Sequence, residues 1–405
     1  MGGAEAELLV VLARRLIDGT GQPPLDWPAV VVDDAGRLAY VGPRPSLPPL
    51  PPTVRWLDLG DLTLLPGIID AHVHLVFDGG PDPIGTLARQ DDAAALAAMA
   101  ERATRMLCSG ITTARDCGAR GTLAQQLRQA IASGAVRGPR LVVSGAPLTV
   151  PHGHCHFLGG VTARGEAAVR AAAQRQLAAG ADWVKLMVSG GRITPGSDAT
   201  RPQFDAPEVR AAAAAAHAAG RRLAAHAHAT ASIAAAVTAG ADSVEHCTWL
   251  GPDDTIAYDP AVADQMAARG IFACPTTHLR FQEVNSRRGP AWLEARLVSI
   301  GRLHAAGVPF AFGTDCGIPH VPHDRWAEGL VWLERAGLSP LAALHAATGG
   351  AARCLGLAAE VGTLTAGRRA DLIAVEGDPA RTLAALGPVR WVIQGGTIVV
   401  GGQAA

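Results

Sequence analysis

The chain has 405 residues, 49% hydrophobic and 18% charged, with 35 basic against 36 acidic side chains and a net charge of −1. That length accommodates one large domain and a smaller one. The balanced charge excludes an electrostatic case for nucleic acid or an anionic membrane surface, and no apolar run approaches the roughly 20 residues needed to span a bilayer. The seven cysteines show no regular spacing. They fit free thiols in a reducing compartment, and the apolar patch Leu8–Ala13 lacks the basic flank and cleavage site of a signal peptide, so a cytoplasmic protein is expected.

In chain order, short strands are predicted at Leu8–Leu12, Ala29–Val32 and Leu38–Val41, with a turn at Asp34-Ala35-Gly36. The Pro-rich stretch from Pro43 to Pro52 reads as a spacer. From Leu64 the pattern changes to alternating strands and helices. Strands are predicted at Leu64–His72, Ile111–Asp116, Arg140–Ser144, Asp182–Val188, Arg222–His226, Asp242–His246, Ile271–Pro275 and Pro309–Thr314. Ala-rich helical stretches lie between them, among them Ala93–Met106, Glu166–Ala179, Ala206–Ala219 and Trp292–Ala306. Eight such units are what a closed parallel barrel requires. An open doubly wound sheet would show a Gly-rich phosphate loop after its first strand, and none follows Leu64. Beyond residue 360 strand-and-turn character returns at Asp371–Val375 and Val389–Val400, with turns at Glu376-Gly377-Asp378 and Gly395-Gly396. The expected fold is therefore α/β: a (β/α)8 TIM-like barrel over residues 66–360, with a small β-sandwich domain formed by both termini, residues 1–65 and 361–405.

Lys185 is the only lysine in the chain. Arginine fills every other basic position, so the retained amine points to chemistry that a permanently protonated guanidinium cannot perform. It lies in the apolar stretch Ala181–Val188, which has strand character, not on a charged helix face. In a barrel of this kind the site forms at the carboxyl ends of the strands. The first strand ends Asp70-Ala71-His72-Val73-His74, and residues two apart on a strand share a side. The fourth carries Lys185, the fifth ends His226-Ala227-His228, the sixth Glu245-His246, and the eighth Gly313-Thr314-Asp315. Each residue alone has an ordinary structural explanation, such as a core histidine or a helix-capping aspartate. Their joint placement at five strand ends points to a metal site.

The stretches Leu65–His74, the lysine strand, His226, Val244–His246, Gly313–Asp315 and Gly362–Ile373 together resemble the amidohydrolase superfamily. Within it, His152-Gly153-His154, Ser189-Gly190-Gly191, Ala225–His228 and Ala239–His246 are similar to the branch containing bacterial Xaa-Pro-type dipeptidases, with imidazolonepropionase a more distant relative. The resemblance implies two divalent metal ions, zinc first among manganese, cobalt and iron. His72, His74 and Asp315 would hold one and His226 and His246 the other, with Lys185, carboxylated by carbon dioxide, bridging them. It also implies hydrolysis of an amide (peptide-like) bond in a small dipeptide or N-acyl amino acid by a metal-bridging hydroxide. Asp315 would take the proton and return it to the leaving amine.

His154 and His228 are the candidates to stabilise the oxyanion. The substrate-binding candidates are His154, His228, Ser189, Arg192 and His323, with Arg192–Phe204 as a lid. Cys117, Cys155, Cys247, Cys274 and Cys316 fall near strand ends and read as small packing residues. Ala229, Cys247 and the His-Gly-His at 152–154 depart from the branch pattern, at positions that bear on the substrate and not on the ligands. The alternatives are hydrolysis of a cyclic amide, carbamate, lactone or xenobiotic amide and, from another class, a non-catalytic barrel scaffold. A deaminase fits less well, because a carboxylated lysine suits a binuclear centre. The expected partners are a small-molecule substrate and further copies of the chain in a homo-oligomer.

Overall fold

The structure is a computed structural model, and it describes residues 8–401. The chain divides into two compact units, one drawn from residues 1–69, 106–113 and 339–405, the other from residues 70–105 and 114–338.

In the first unit, alternating apolar strands build two sheets. One has the order Leu38–Pro43, Pro28–Val32, Leu8–Leu12, Val54–Asp58; the other runs Thr397–Val400, Val389–Gln394, Leu372–Val375, Thr63–Pro66, Arg15–Leu16, Leu25–Asp26. Strand periodicity sends Leu9, Val11, Val30 and Val32 to the same core as Leu64, Leu372, Ala374 and Ile393 from the other sheet. The opposite face of the first sheet, with Val10, Leu12, Ala29 and Val31, is covered in part by Leu47 and Leu50. The Pro-rich segment thus packs against a sheet as well as spacing two strands. Val54–Asp58 was not anticipated from the sequence, because Arg55, Trp56 and Asp58 are exposed and break the apolar signal.

The predicted strand Leu64–His72 is in fact two. Thr63–Pro66 pairs with Leu372–Val375 and Arg15–Leu16, whereas Ile68–Val73 belongs to a sheet with Ile111–Asp116 and Arg140–Val143. The division falls at Gly67, where a Cβ would lie 2.1 Å from Thr112 Oγ1, so only glycine lets the chain pass.

In the second unit, Trp183–Met187, Arg222–Ala229, Ser243–Leu250 and Phe272–Cys274 form a sheet that is parallel throughout. Helices Glu166–Ala178, Ala206–Ala218, Thr230–Ala239, Pro260–Arg269 and Pro290–Ala305 alternate with these strands or follow the last of them. Their starts carry familiar signals: Asp205 and Glu208 form a reciprocal capping box around Pro207, and Asp259 accepts from the amides of Ala261 and Val262. The expected strand Pro309–Thr314 is not a regular strand and forms one isolated bridge, Phe310 with Ala273. Pro309 has no amide to donate. Its carbonyl accepts from Ala273 N at 2.9 Å, Ala311 N donates back to Ala273 at 3.0 Å, and Ala71 N donates to Phe312 at 2.8 Å. The segment is thereby hydrogen-bonded on both sides. At the far edge of the parallel sheet Asp182 N donates to Val143 at 2.7 Å. Among the described residues, no helix is long and apolar enough to cross a membrane.

Candidate functional site

The titratable residues of the strand ends come together in the second unit. The Nε2 atoms of His72 and His74 each lie 3.4 Å from Asp315 Oδ1. Lys185 is 1% exposed, and its Nζ lies 3.3 Å from His72 Nε2. Ligand atoms of His72, His246 and Asp315 lie within 4.8 Å of one another, as do those of His226, His228 and His246. The six expected metal ligands thus share one cluster, and His228 stacks on His246 at 4.4 Å between ring centroids.

Each imidazole has one nitrogen anchored by the protein. His72 Nδ1 meets Glu245 Oε2 at 2.7 Å, His74 Nδ1 meets the Gly118 carbonyl at 3.0 Å, and His226 Nε2 meets the Gly190 carbonyl at 3.0 Å. His246 Nδ1 lies 2.9 Å from Thr276 Oγ1, whose own proton goes to the Pro275 carbonyl. Every one of these partners accepts, so each ring carries its proton on the anchored nitrogen and presents a lone pair from the other. Burial lowers His72 to about 4, assisted by Lys185, and holds His226, His228 and His246 well below the usual histidine range. Burial alone would raise the Asp315 carboxyl, but His72, His74 and Lys185 outweigh it and hold the group at about 2.

A second layer supports these ligands. Glu245, fully buried, accepts from His72, from Arg115 Nη2 at 2.7 Å and from Ser243 Oγ at 2.5 Å. Burial opposes its charge, yet Arg115 and His72 hold its carboxyl well below the ordinary carboxylate range. Arg115 also donates to the Ala71 carbonyl and lies 4.4 Å from the Trp183 ring centroid. Asp70 accepts from the amides of His72 and Thr314 and from Thr314 Oγ1, joining the first strand to the Asp315 segment. His246, Cys247, Thr276 and Asp315 all have positive φ, a conformation that L residues adopt at a cost. Buried Arg296 holds part of this strained backbone by donating to the carbonyls of His246, Cys247 and Pro275.

The remaining candidates occupy different settings. His154 is 5% exposed, its ring centroid lies 4.7 Å from that of His226, and its Nδ1 has no hydrogen-bond partner. Burial lowers it to about 3. Gly191 makes room for it, since a Cβ there would sit 2.2 Å from His154 Nε2. His228 Nδ1 meets Thr248 Oγ1 at 2.8 Å, and its amide donates to Ser189 Oγ at 2.9 Å. Ser189 is fully buried and gives its proton to the Gly190 carbonyl, so its hydroxyl orients the His228 backbone. Arg192 reaches Asp254 at 3.0 Å. His323 lies beneath the first strand, with Nε2 3.1 Å from the His74 carbonyl and Nδ1 unpartnered. The 192–204 loop is tied down: Gln203 accepts from His154 N at 2.7 Å and donates to the Met187 carbonyl at 2.8 Å. Cys117, Cys155, Cys247, Cys274 and Cys316 are buried and form no disulfide, and burial pushes the Cys117 thiol up to about 11 and Cys155 up to about 12.

Sequence reasoning gave no role to Glu245, Arg115, Arg296 or Thr276. A signal existed for Arg115, a charged side chain inside the strand Ile111–Asp116. Arg296 sits on a helix with one other arginine, Arg302, and is indistinguishable from a surface residue by pattern. His278, 6% exposed and lowered to about 4 by burial, also went unread.

The sequence profile described as "Amidohydrolase family" matches residues 63–402. Ochratoxinase from Aspergillus niger is 29% identical over 420 aligned positions, spanning 93% of this chain and 82% of that protein. Imidazolonepropionase from Salinispora arenicola is 30% identical, spanning 88% of each chain. Among solved structures, a Xaa-Pro dipeptidase with methionine bound in its active site superposes with a TM-score of 0.87 at 27% identity, covering 98% of this chain and 100% of that one.

Proposed function

The chain belongs to the amidohydrolase family, and from that membership we propose that it is a metal-dependent hydrolase of an amide (peptide-like) bond in a small dipeptide or N-acyl amino acid. The observation that carries the reading is the convergence of imidazole nitrogens on Asp315 and Lys185. The donor set fits divalent metal. Four histidines have their second nitrogens anchored, Asp315 is ionised, and Lys185 is buried with no carboxylate in ion-pair contact among the described residues. Its amine lies within the cluster, 3.3 Å from His72 Nε2. Carboxylation of that amine would supply the anionic oxygen donor that two cations need. His72, His74 and Asp315 would hold one ion, His226 and His246 the other, and carboxylated Lys185 would join both. Nitrogen and oxygen donors of this kind suit zinc first.

When bound, the metals supply Lewis-acid activation of water and of the scissile carbonyl. Asp315, ionised at neutral pH, receives the proton of the attacking water and returns it to the leaving amine. His154 and His228, kept neutral by burial, each have one N–H to offer where negative charge develops on the carbonyl oxygen. Arg192 is the candidate for an anionic group of the substrate. The same reading includes eight parallel strands closing through the 309–312 segment, and a terminal β-sandwich whose two sheets share one core. The bound methionine of the dipeptidase neighbour supports an amino-acid product, and the likeness to ochratoxinase favours a second reading, hydrolysis of a xenobiotic amide.

The test combines metal analysis of protein purified without chelator with a screen of dipeptides and N-acyl amino acids at saturating zinc. About two metals per chain and turnover of at least one class are expected. Less than about one metal per chain overturns the binuclear assignment, and turnover confined to unrelated amides moves the substrate to the second reading.

A further inference from the structure

On loops that follow two of the site's strands, two arginines share one carboxylate. Arg192 Nη2 donates to Asp254 Oδ1 at 3.0 Å, and Arg288 Nε pairs with Asp254 Oδ2. The three residues come from separate elements: Arg192 from the loop after strand Trp183–Met187, Asp254 from the turn after strand Ser243–Leu250, and Arg288 from the segment before helix Pro290–Ala305. Ala199, Leu250 and Trp292, with Ile256, form a small apolar cluster that binds those same elements together. Asp254 is fixed further. It adopts φ 62°, its carbonyl accepts from Trp292 Nε1 at 2.8 Å, and its amide donates to Gly251 at 3.1 Å. Arg288 lies over the Trp292 ring at 4.9 Å. The neighbouring carboxylate, Asp253, is turned into its own loop, accepting from the amide and hydroxyl of Thr255.

Two guanidinium groups against one carboxylate leave an uncompensated positive charge. Each arginine uses one nitrogen on Asp254, so Nε and Nη1 of Arg192 and both Nη atoms of Arg288 have no protein partner among the described residues. Both side chains are also reachable, with 33% and 24% of their surface exposed. Arg192 is one residue beyond Gly191, which packs on His154, and two beyond Gly190, whose carbonyl anchors His226. Resting on the amide-hydrolase reading above, we propose that Arg192 and Arg288, aligned by Asp254, form a binding site for the free carboxylate of the substrate's amino-acid portion. Planar carboxylate recognition by guanidinium forks gives direction as well as charge. Asp254 is a positioning residue, because without it the two cations would repel each other and their forks would diverge. The substrate class is thereby narrowed to amides of an amino acid that retains its carboxylate, and carboxamides and esters are disfavoured.

The experiment compares N-acetyl-L-leucine with N-acetyl-L-leucinamide on metal-loaded enzyme, by kcat/KM and by calorimetric binding. Wild type is expected to prefer the acid by at least about tenfold. R288M and D254N should each lower that preference about tenfold, mainly through KM, and R288K should restore part of it, since lysine supplies the charge without the fork. Equal affinity for acid and carboxamide, no measurable binding of the acid, or an R288M variant that weakens both compounds equally overturns the proposal. If neither compound is hydrolysed, amide hydrolysis fails for this class while the binding comparison still decides the carboxylate site.

Discussion

Replacing Glu245 with Gln tests the support beneath the metal ligands. Glu245 and Arg115 are both fully buried, 2.7 Å apart, and Glu245 also meets His72 Nδ1 at 2.7 Å. Glutamine has one acceptor where glutamate has two. If its carbonyl faces Arg115, its amide meets the N–H of His72, and relief requires His72 to move its proton to Nε2, the nitrogen needed by the metal. If its carbonyl faces His72, two donors meet at Arg115. Either arrangement leaves the Arg115 charge without a counterion. Removing one partner of a buried ion pair costs about 3–5 kcal/mol, and disturbing a group that orients a metal ligand weakens metal affinity by about 10- to 100-fold. Urea denaturation of the metal-free E245Q protein should show the first loss, and chelator competition the second. In the double variant R115M/E245Q the uncompensated charge is gone, so the pair should be less destabilised than the sum of the single changes by about 0.5–3 kcal/mol. A loss below about 1 kcal/mol with additive single effects would refute this account.

Lys185→Ala should reduce bound metal and lower kcat by more than about 100-fold, above the range for a merely supporting group. Added formate or acetate should recover part of the activity; full activity without them would exclude a ligand role. Gly191→Ala places a methyl group 2.2 Å from His154 Nε2. It should lower kcat by about 10²–10³, the scale of a lost oxyanion donor, with metal content unchanged; unchanged kcat would remove His154 from the reaction. The metal-free protein should lose stability as pH falls below the ordinary histidine value. Burial lowers His278 to about 4 and His154 and His323 to about 3, so the unfolded chain binds protons that the folded one refuses. Their stabilising effect is complete above about pH 6.5 and is lost as pH falls towards about 4 for His278 and about 3 for His154 and His323, at roughly 1.4 kcal/mol per pH unit for each group. Urea midpoints at pH 7, 6 and 5 read this directly, and a midpoint that holds steady or rises on acidification would contradict it.

The α/β alternation, most strand positions and the clustered His, Lys and Asp residues were legible in the sequence, because strand and helix leave different apolar periods and because metal-type side chains recur at strand ends. Arginine's near-total replacement of lysine marked Lys185 before any neighbour was known. Other features depended on contacts distant in sequence. The break at Gly67 reflects the approach of Thr112, and Pro309–Thr314 is short of ladder bonds because of Pro309 and its neighbours' geometry. The acceptors that set each histidine's tautomer lie up to 173 residues away, as with Glu245 on His72.

The sequence by itself determined which chemical groups are present and, through local periodicity, which of them lie on strands, Asp315 excepted. Only the tertiary structure decided what each group faces. Glu245 became the anchor of His72, Ser189 a brace for His228, and Arg192 one half of an arginine pair on Asp254. The physical reason is that protonation, hydrogen bonding and charge compensation are properties of neighbours in space, and the chain pattern records those neighbours only where they are also neighbours in sequence.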